Sequence, residues 1–233
     1  MKSFKWEALI VAVGLVLLGV QIKKGIERFV DKERVVMVKG LAEMEVPADK
    51  VIWPLMYKDL GNDPAVLYEN MNKKSQAIVS FLTKKGIQPD EISITPPEVI
   101  DMEAERYGSD RINYRYVATS VITVTSNRVD AVRQLMGEQA ELLKQGIAIT
   151  GGDYRYNVSY EFTKLNDIKP QMIEEATRNA RAAAEKFAKD SDSRLGKIRN
   201  ASQGQFSIDD RDSNTPYIKS VRVVTTVNYY LKN

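Results

Sequence analysis

"MIEEATRNARAAAEKFAKDSDSRLGKI", residues 172–198, has the charge spacing of a helix but few bulky apolar side chains. Met172, Ala176, Ala180, Ala183 and Phe187 recur at helical spacing and define one face. Glu174–Arg178 and Glu185–Lys189 are i,i+4 pairs on the more polar sides. Small side chains let a helix approach its neighbour closely. The alanine face therefore predicts a packing surface against a sheet, with Met172 and Phe187 as larger contacts at its ends.

The flanking sequence supplies strands. After the helix, "LGKIRNASQGQF" (195–206) and "YIKSVRVVTTVNYYL" (217–231) read as the last two. Before it, "YRYNVSYEF" (154–162) puts Tyr154, Tyr156, Val158, Tyr160 and Phe162 on one side, and Pro170 falls in the helix's first turn. Near the start, "VVMVKGLAEMEV" (35–46) alternates, with Val36, Val38, Ala42, Met44 and Val46 on one face and Pro47 as its end. "KVIWPLMYKDL" (50–60) is read as its antiparallel partner through the "PAD" turn. Pro54 argues for an edge or a bulge there.

Between these lie two more helices. One follows Pro64, carries Leu67, Met71, Ile78 and Leu82, and stops at Gly86. The other follows a cap at Ser126 or Asn127, carries Val129, Val132, Met136, Ala140 and Leu143, and stops at Gly146. "DEISITPPEVIDME" (90–103) is a strand interrupted by Pro96-Pro97, and "INYRYVATSVITVTS" (112–126) is a long strand, with "RYGSD" (106–110) as the hairpin tip. The result is an α+β fold: two lobes of antiparallel or mixed sheet, each covered by helices. An echo of "KKGI" (84–87) in "KQGI" (144–147) hints at related lobes but is too short to establish a repeat.

A hydrophobic helix precedes this body. "ALIVAVGLVLLGVQI" (8–22) is apolar except for Gln21, with Lys2 and Lys5 before it and Lys23-Lys24 after it. Phe4 and Trp6 extend it, Trp6 suiting the membrane interface. Leu17 before Gly19 and Lys23 before Gly25 spoil the small-x-small pattern of a cleavage site. The favoured division is a membrane anchor over 1–30 and a folded domain over 31–233. A removed signal segment is the alternative. Lys23, Lys24, Arg28, Lys32 and Arg34 outnumber Lys2 and Lys5, a bias that favours a cytoplasmic domain.

Composition excludes several chemistries. The 233 residues include no His and no Cys. The commonest general base, the Ser-His and Cys-His pairs and the usual zinc and iron–sulfur ligand sets are thereby absent. A net charge of +3 with scattered basic residues gives no nucleic-acid footprint. "DRDSN" (210–214) begins like a calcium loop with Asp210, Asp212 and Asn214, but Thr215 stands where glycine is needed and Val221 where the bidentate Glu belongs. Asp101, Glu103 and Glu105 would share a strand face, yet no second cluster joins them. Tyr114, Tyr116, Tyr154, Tyr156, Tyr160, Tyr229 and Tyr230 fit half-buried sheet faces better than base stacking. No residue is assigned as catalytic, cofactor-binding or metal-binding, and no cofactor is expected.

The order of motifs resembles the SIMPL domain family, also called DUF541. "VKGLAEMEVPADKV" (38–51), a helix ending near Gly-Ile, "YRYVATSVITVT" (114–125) and "EEATRNARAAAEKFAKDSDSRLGKI" (174–198) carry the likeness, which covers about residues 35–231. The chain departs from the family pattern at Trp53-Pro54 and in "DSDSRLG" (190–196). The resemblance implies an exported, periplasmic or membrane-associated protein without established enzymatic activity. Some members are linked to oxidative stress, and at least one forms a ring-like, channel-shaped oligomer. It offers no catalytic residues to carry over. The expectation is therefore a non-enzymatic envelope protein tethered through residues 8–22, self-assembling or binding a protein partner, with its domain in the periplasm. A binding protein for a small or lipidic ligand held between two lobes is the alternative.

Overall fold

The computed structural model describes residues 3–31, 34–104, 113–150 and 154–232. It is an α+β chain of two antiparallel sheets and their helices, preceded by an apolar N-terminal helix. In order it forms α1 (Ser3–Asp31), β1 (Val35–Pro47), β2 (Lys50–Gly61), α2 (Pro64–Lys84), β3 (Ile92–Ile94), β4 (Glu98–Asp101) and β5 (Tyr116–Ser126). There follow α3 (Val129–Gly137), α4 (Ala140–Lys144), β6 (Ser159–Glu161), α5 (Leu165–Asp190), β7 (Arg194–Gln203), β8 (Ser207–Asp210) and β9 (Ile218–Lys232). These residues divide into two compact units: 1–44 with 165–209 and 220–233, and 45–164 with 210–219.

In the first unit the sheet runs β1-β9-β7, with β8 also paired to β9. Leu231 N donates to Arg34 O at 2.9 Å at one end of the β1–β9 pair. At the other end Ala48 N donates to Tyr217 O at 2.8 Å, so the strands are antiparallel and in the same register at both ends. The alternation expected of β1 holds: Val38, Ala42 and Val46 are buried, Val36 and Met44 half-buried, and the residues between them mostly exposed. Val38, Val227 and Tyr229 form a core with Ala180 and Ala184 of α5.

The buried stripe of α5 is Met172, Ala176, Ala180, Ala184 and Ala188. That is a strict i,i+4 ridge, not the path through Ala183 and Phe187. Ala183 is only half-buried and Phe187 is 59% exposed. Such a ridge crosses the helix surface obliquely, so it meets the sheet over a longer stretch. Pro170 lies inside the helix, since α5 already begins at Leu165. The contact is close because β1 carries Gly40 here. A Cβ on Gly40 would meet Ala176 O at 1.9 Å and Ala180 N at 2.4 Å, so the helix backbone rests on the strand backbone.

In the second unit the sheet runs β3-β5-β2-β6, with β4 also paired to β5. β1 and β2 therefore belong to different sheets and do not form the expected hairpin. Their buried faces differ in bulk: β1 offers Val38, Gly40 and Ala42 to an alanine helix. β2 offers Val51, Trp53, Leu55 and Tyr57 to Leu67, Met71, Ile78, Phe81 and Leu82 of α2. β2 pairs with β5 without a shift from Val51↔Ser126 to Gly61↔Tyr116, straight through Trp53 and Pro54. Met56 O accepts from Thr150 N at 2.8 Å on the side away from β5. Alternation puts the nitrogen of Pro54 on that same side, beyond the reach of three-residue β6, where a missing N–H breaks no ladder bond.

The Pro96-Pro97 interruption does split β3 from β4, and both pair with β5. β5 starts at Tyr116, later than Ile112, and the "RYGSD" tip lies outside the described residues. Residues 154–162 form a 3-10 turn (Tyr154–Tyr156) and then β6, because only Lys50–Ile52 offers this segment a partner. The helix expected over 129–143 is broken at residues 138–139. Glu138, Gln139, Glu141 and Leu142 donate to carbonyls three residues back, and this tighter winding changes the phase. Leu135 and Leu142 are buried in place of Ala140 and Leu143, the latter 64% exposed.

Candidate interaction surface

The "KKGI" echo marks two copies of one helix ending within the second unit. Gly86 has φ 92° and Gly146 φ 77°. Gly86 N donates to Thr83 O and Ile87 N to Leu82 O, both at 3.0 Å. Gly146 N to Leu143 O and Ile147 N to Leu142 O repeat this at 3.0 Å, which is the Schellman arrangement. Both isoleucines are buried. Lys85 joins the two ends, donating to Glu138 at 2.5 Å and Glu141 at 3.0 Å. These bonds raise its pKa. A shallow cleft of about 420 Å³ beside it is lined by Ser80, Phe81, Lys84, Lys85, Glu141 and Gln145 among others.

The acidic candidates are occupied by the chain's own donors. Asp212 Oδ1 accepts from Asn214 N and Thr215 N, each at 2.8 Å, and Asp212 Oδ2 from Thr215 Oγ1 and Arg211 Nε. The Thr215 hydroxyl first, then Arg211, holds the Asp212 pKa down at about 2. Asp210 pairs with the largely buried Lys219. The Asn214 position thus closes a turn. Asp101 is gripped by Arg115 at 2.8 Å, with Glu103 3.4 Å from the same guanidinium, while Glu105 lies outside the described residues. The Arg115 hydrogen bond lowers the Asp101 pKa. Among the described residues no group of three or more acidic side chains is placed to hold a metal ion.

The tyrosines do not form one platform. Tyr229 is core, Tyr116, Tyr160 and Tyr230 are half-buried on strands, and Tyr156 sits in the 3-10 turn. Tyr114 is exposed ahead of β5. Tyr160 meets Tyr217 edge-on at 6.1 Å, and Arg133 stacks 3.4 Å over the Tyr217 ring. Burial raises the Tyr160 pKa.

Two uncovered apolar surfaces stand out among the described residues. One is α1: side chains of Trp6–Gly25 form an apolar helix with no part of that span buried. Its composition and length fit a membrane span or a signal sequence. At 1.5 Å per residue its 29 residues extend about 44 Å, beyond the ~30 Å hydrocarbon layer.

The other is the face of the β1-β9-β7 sheet turned away from α5. Val35, Met37 and Leu41 are exposed there, Met37 by 66%, beside half-buried Val224 and Tyr230. β1 is also the edge strand of this sheet. Its even residues bond toward β9, as Arg34 O and Ala48 N show, so the peptide groups of Val35, Met37, Lys39, Leu41, Glu43 and Glu45 face outward. One carbonyl of this edge is capped by Asn179 of α5, whose Nδ2 donates to Leu41 O at 2.8 Å.

An α+β domain with an open sheet face and edge, carried behind an apolar helix, is the class these features define. The chain belongs to the SIMPL family, described as a protein of unknown function (DUF541), whose model matches residues 36–228. No curated protein matches it.

Proposed function

We propose that this chain is a non-enzymatic, membrane-tethered envelope protein that works by assembling with copies of itself, its domain facing the periplasm. The observation that carries the reading is the open face formed by Val35, Met37 and Leu41 on a sheet whose other face is filled by α5. Exposed apolar side chains beside an open strand edge make a surface for a partner. A second copy suits it. Antiparallel pairing of two β1 edges centred on Leu41 sets Lys39 of each opposite Glu43 of the other. Tethering through α1 confines copies to a plane and raises their effective concentration. The family likeness to envelope proteins supports the periplasmic side, against the charge count around α1.

Light scattering after size exclusion, on the full chain in detergent with the micelle mass subtracted, tests this. The expected result is a closed oligomer that Met37→Glu and Leu41→Glu dissociate. A monomer at every concentration overturns it.

A further inference from the structure

We infer that the end of the β7–β9 ribbon nearest α1 is a docking surface for an anionic lipid bilayer. The inference rests on reading α1 as a membrane anchor. Residues 193–208 and 213–233 contain no Asp or Glu, so β7 and β9 between them carry only cations: Arg194, Lys197, Arg199, Lys219, Arg222 and Lys232. Lys219 is neutralised by Asp210 of β8. The four at one end, Arg194, Lys197, Arg199 and Lys232, are exposed.

Their arrangement is one the sheet itself disfavours. Arg194 and Lys232 are direct cross-strand partners. Leu195 and Leu231, also partners, alternate with them, and Leu195 packs on the α5 core, so the two cations share the face away from that helix. Like charges directly opposite destabilise a strand pair unless an anion lies over them. Asp190 ends α5, the element that covers the opposite face, and Asp192 lies in the turn that follows it. β7 is irregular here, with register shifts between Leu195 and Ile198 and between Ile198 and Asn200. Gly196 permits the first: a Cβ there would meet Tyr230 O at 2.7 Å. Bulges of this kind re-aim side chains, here Lys197 and Arg199.

Chain connectivity puts this end beside the anchor. Arg34 follows the last helical residue, Asp31, by three positions, a reach of at most about 11 Å. Arg34 O accepts from Leu231 N, the residue next to Lys232. The apolar span ends at Gly25, six helical residues before Asp31, or about 9 Å. The cationic end is thus held within about two Debye lengths of the bilayer surface, and long Arg and Lys side chains close much of the remainder.

The test uses the full chain with Ile198→Cys, an exposed reporter between Lys197 and Arg199 in a protein that has no other cysteine. It is incorporated in discs of phosphatidylcholine and phosphatidylglycerol in equal parts, or of phosphatidylcholine alone, and labelled with a water-soluble maleimide. The expected result is labelling about tenfold slower in the anionic discs at low salt, recovering at high salt. Arg194→Glu, Lys197→Glu, Arg199→Glu and Lys232→Glu together should equalise the two discs. Equal rates for the native patch in both discs, or protection indifferent to salt, overturn the docking surface while leaving the anchor standing. A chain that elutes apart from the discs overturns the anchor and the docking surface together.

Discussion

At Gly40 a hydrogen in place of a methyl group decides whether α5 can lie on its strand. A Cβ would sit inside the contact distance of Ala176 O and Ala180 N, both backbone atoms that cannot turn aside. Gly40→Ala should therefore cost about 3 kcal/mol, the upper end of ordinary overpacking, measured by denaturant unfolding. Ala180→Leu should cost about 1–3 kcal/mol and Ala183→Leu less. Arg181→Ala should change stability by under about 0.5 kcal/mol, since its bond to Glu185 is an exposed ion pair. The sequence places this face correctly except for one step, for a concrete reason. Ala182, Ala183 and Ala184 are consecutive and identical, so composition cannot say which of them points inward. Asp212 gives a second test at this scale. Its folded pKa of about 2 lies below the ~3.9 of an unfolded aspartate. Its contribution to stability is present above about pH 4 and should be lost as pH falls through about 2. Asp212→Asn should remove that part of the acid dependence, read from unfolding curves across this range.

The ends of α2, α4 and α5 share one bonding pattern, with one departure in residue type. Asp192 N donates to Lys189 O at 3.2 Å and Ser193 N to Ala188 O at 2.8 Å, repeating the bonding at Gly86 and Gly146. Here, however, Asp192 has φ 51°, a region that favours glycine. Asp192→Gly should stabilise the protein by about 0.5–1 kcal/mol, and Gly86→Ala should destabilise it by about 1 kcal/mol or more. A melting temperature for each variant checks both signs. Elements with a strong internal pattern are legible in the sequence: β1, α2 and β9 appear where alternation or helical spacing puts them, and β5 and α5 do so with their starts displaced, to Tyr116 and Leu165. What fails depends on partners. The alternation of residues 154–162 is real, but only Lys50–Ile52 pairs with them. The assignment of β1 and β2 to different sheets also needs the neighbours, because chain proximity favours a hairpin and only the match between strand bulk and helix bulk decides otherwise.

For the whole molecule, membrane side and self-association each have a direct measurement. Protease added to spheroplasts should digest the domain and leave a short membrane-held stub. Protection until the membrane is broken would place the domain in the cytoplasm. Association through the β1 edge and association through the sheet face are separable. Asn179→Ala removes the donor that caps Leu41 O and should increase the oligomeric fraction only if the edge takes part. None of this surface was legible as a site beforehand. Exposed Met37 and Leu41 look like ordinary members of an alternating strand until the opposite face is seen to be filled. The role of Asn179 requires knowing that α5 passes the edge.

The seat of α5 on Gly40 also constrains how this sequence can change over generations. Position 40 lies well over a hundred residues from 176 and 180 along the chain, yet it cannot take a larger residue while they hold the helix at this depth. The backbone atoms in contact do not shrink when a neighbouring side chain does, so no compensating substitution at 176 or 180 rescues growth at 40. Epistasis here is one-sided: the strand must keep its glycine for as long as the helix keeps its depth. Only a change that lifts the whole helix would free position 40.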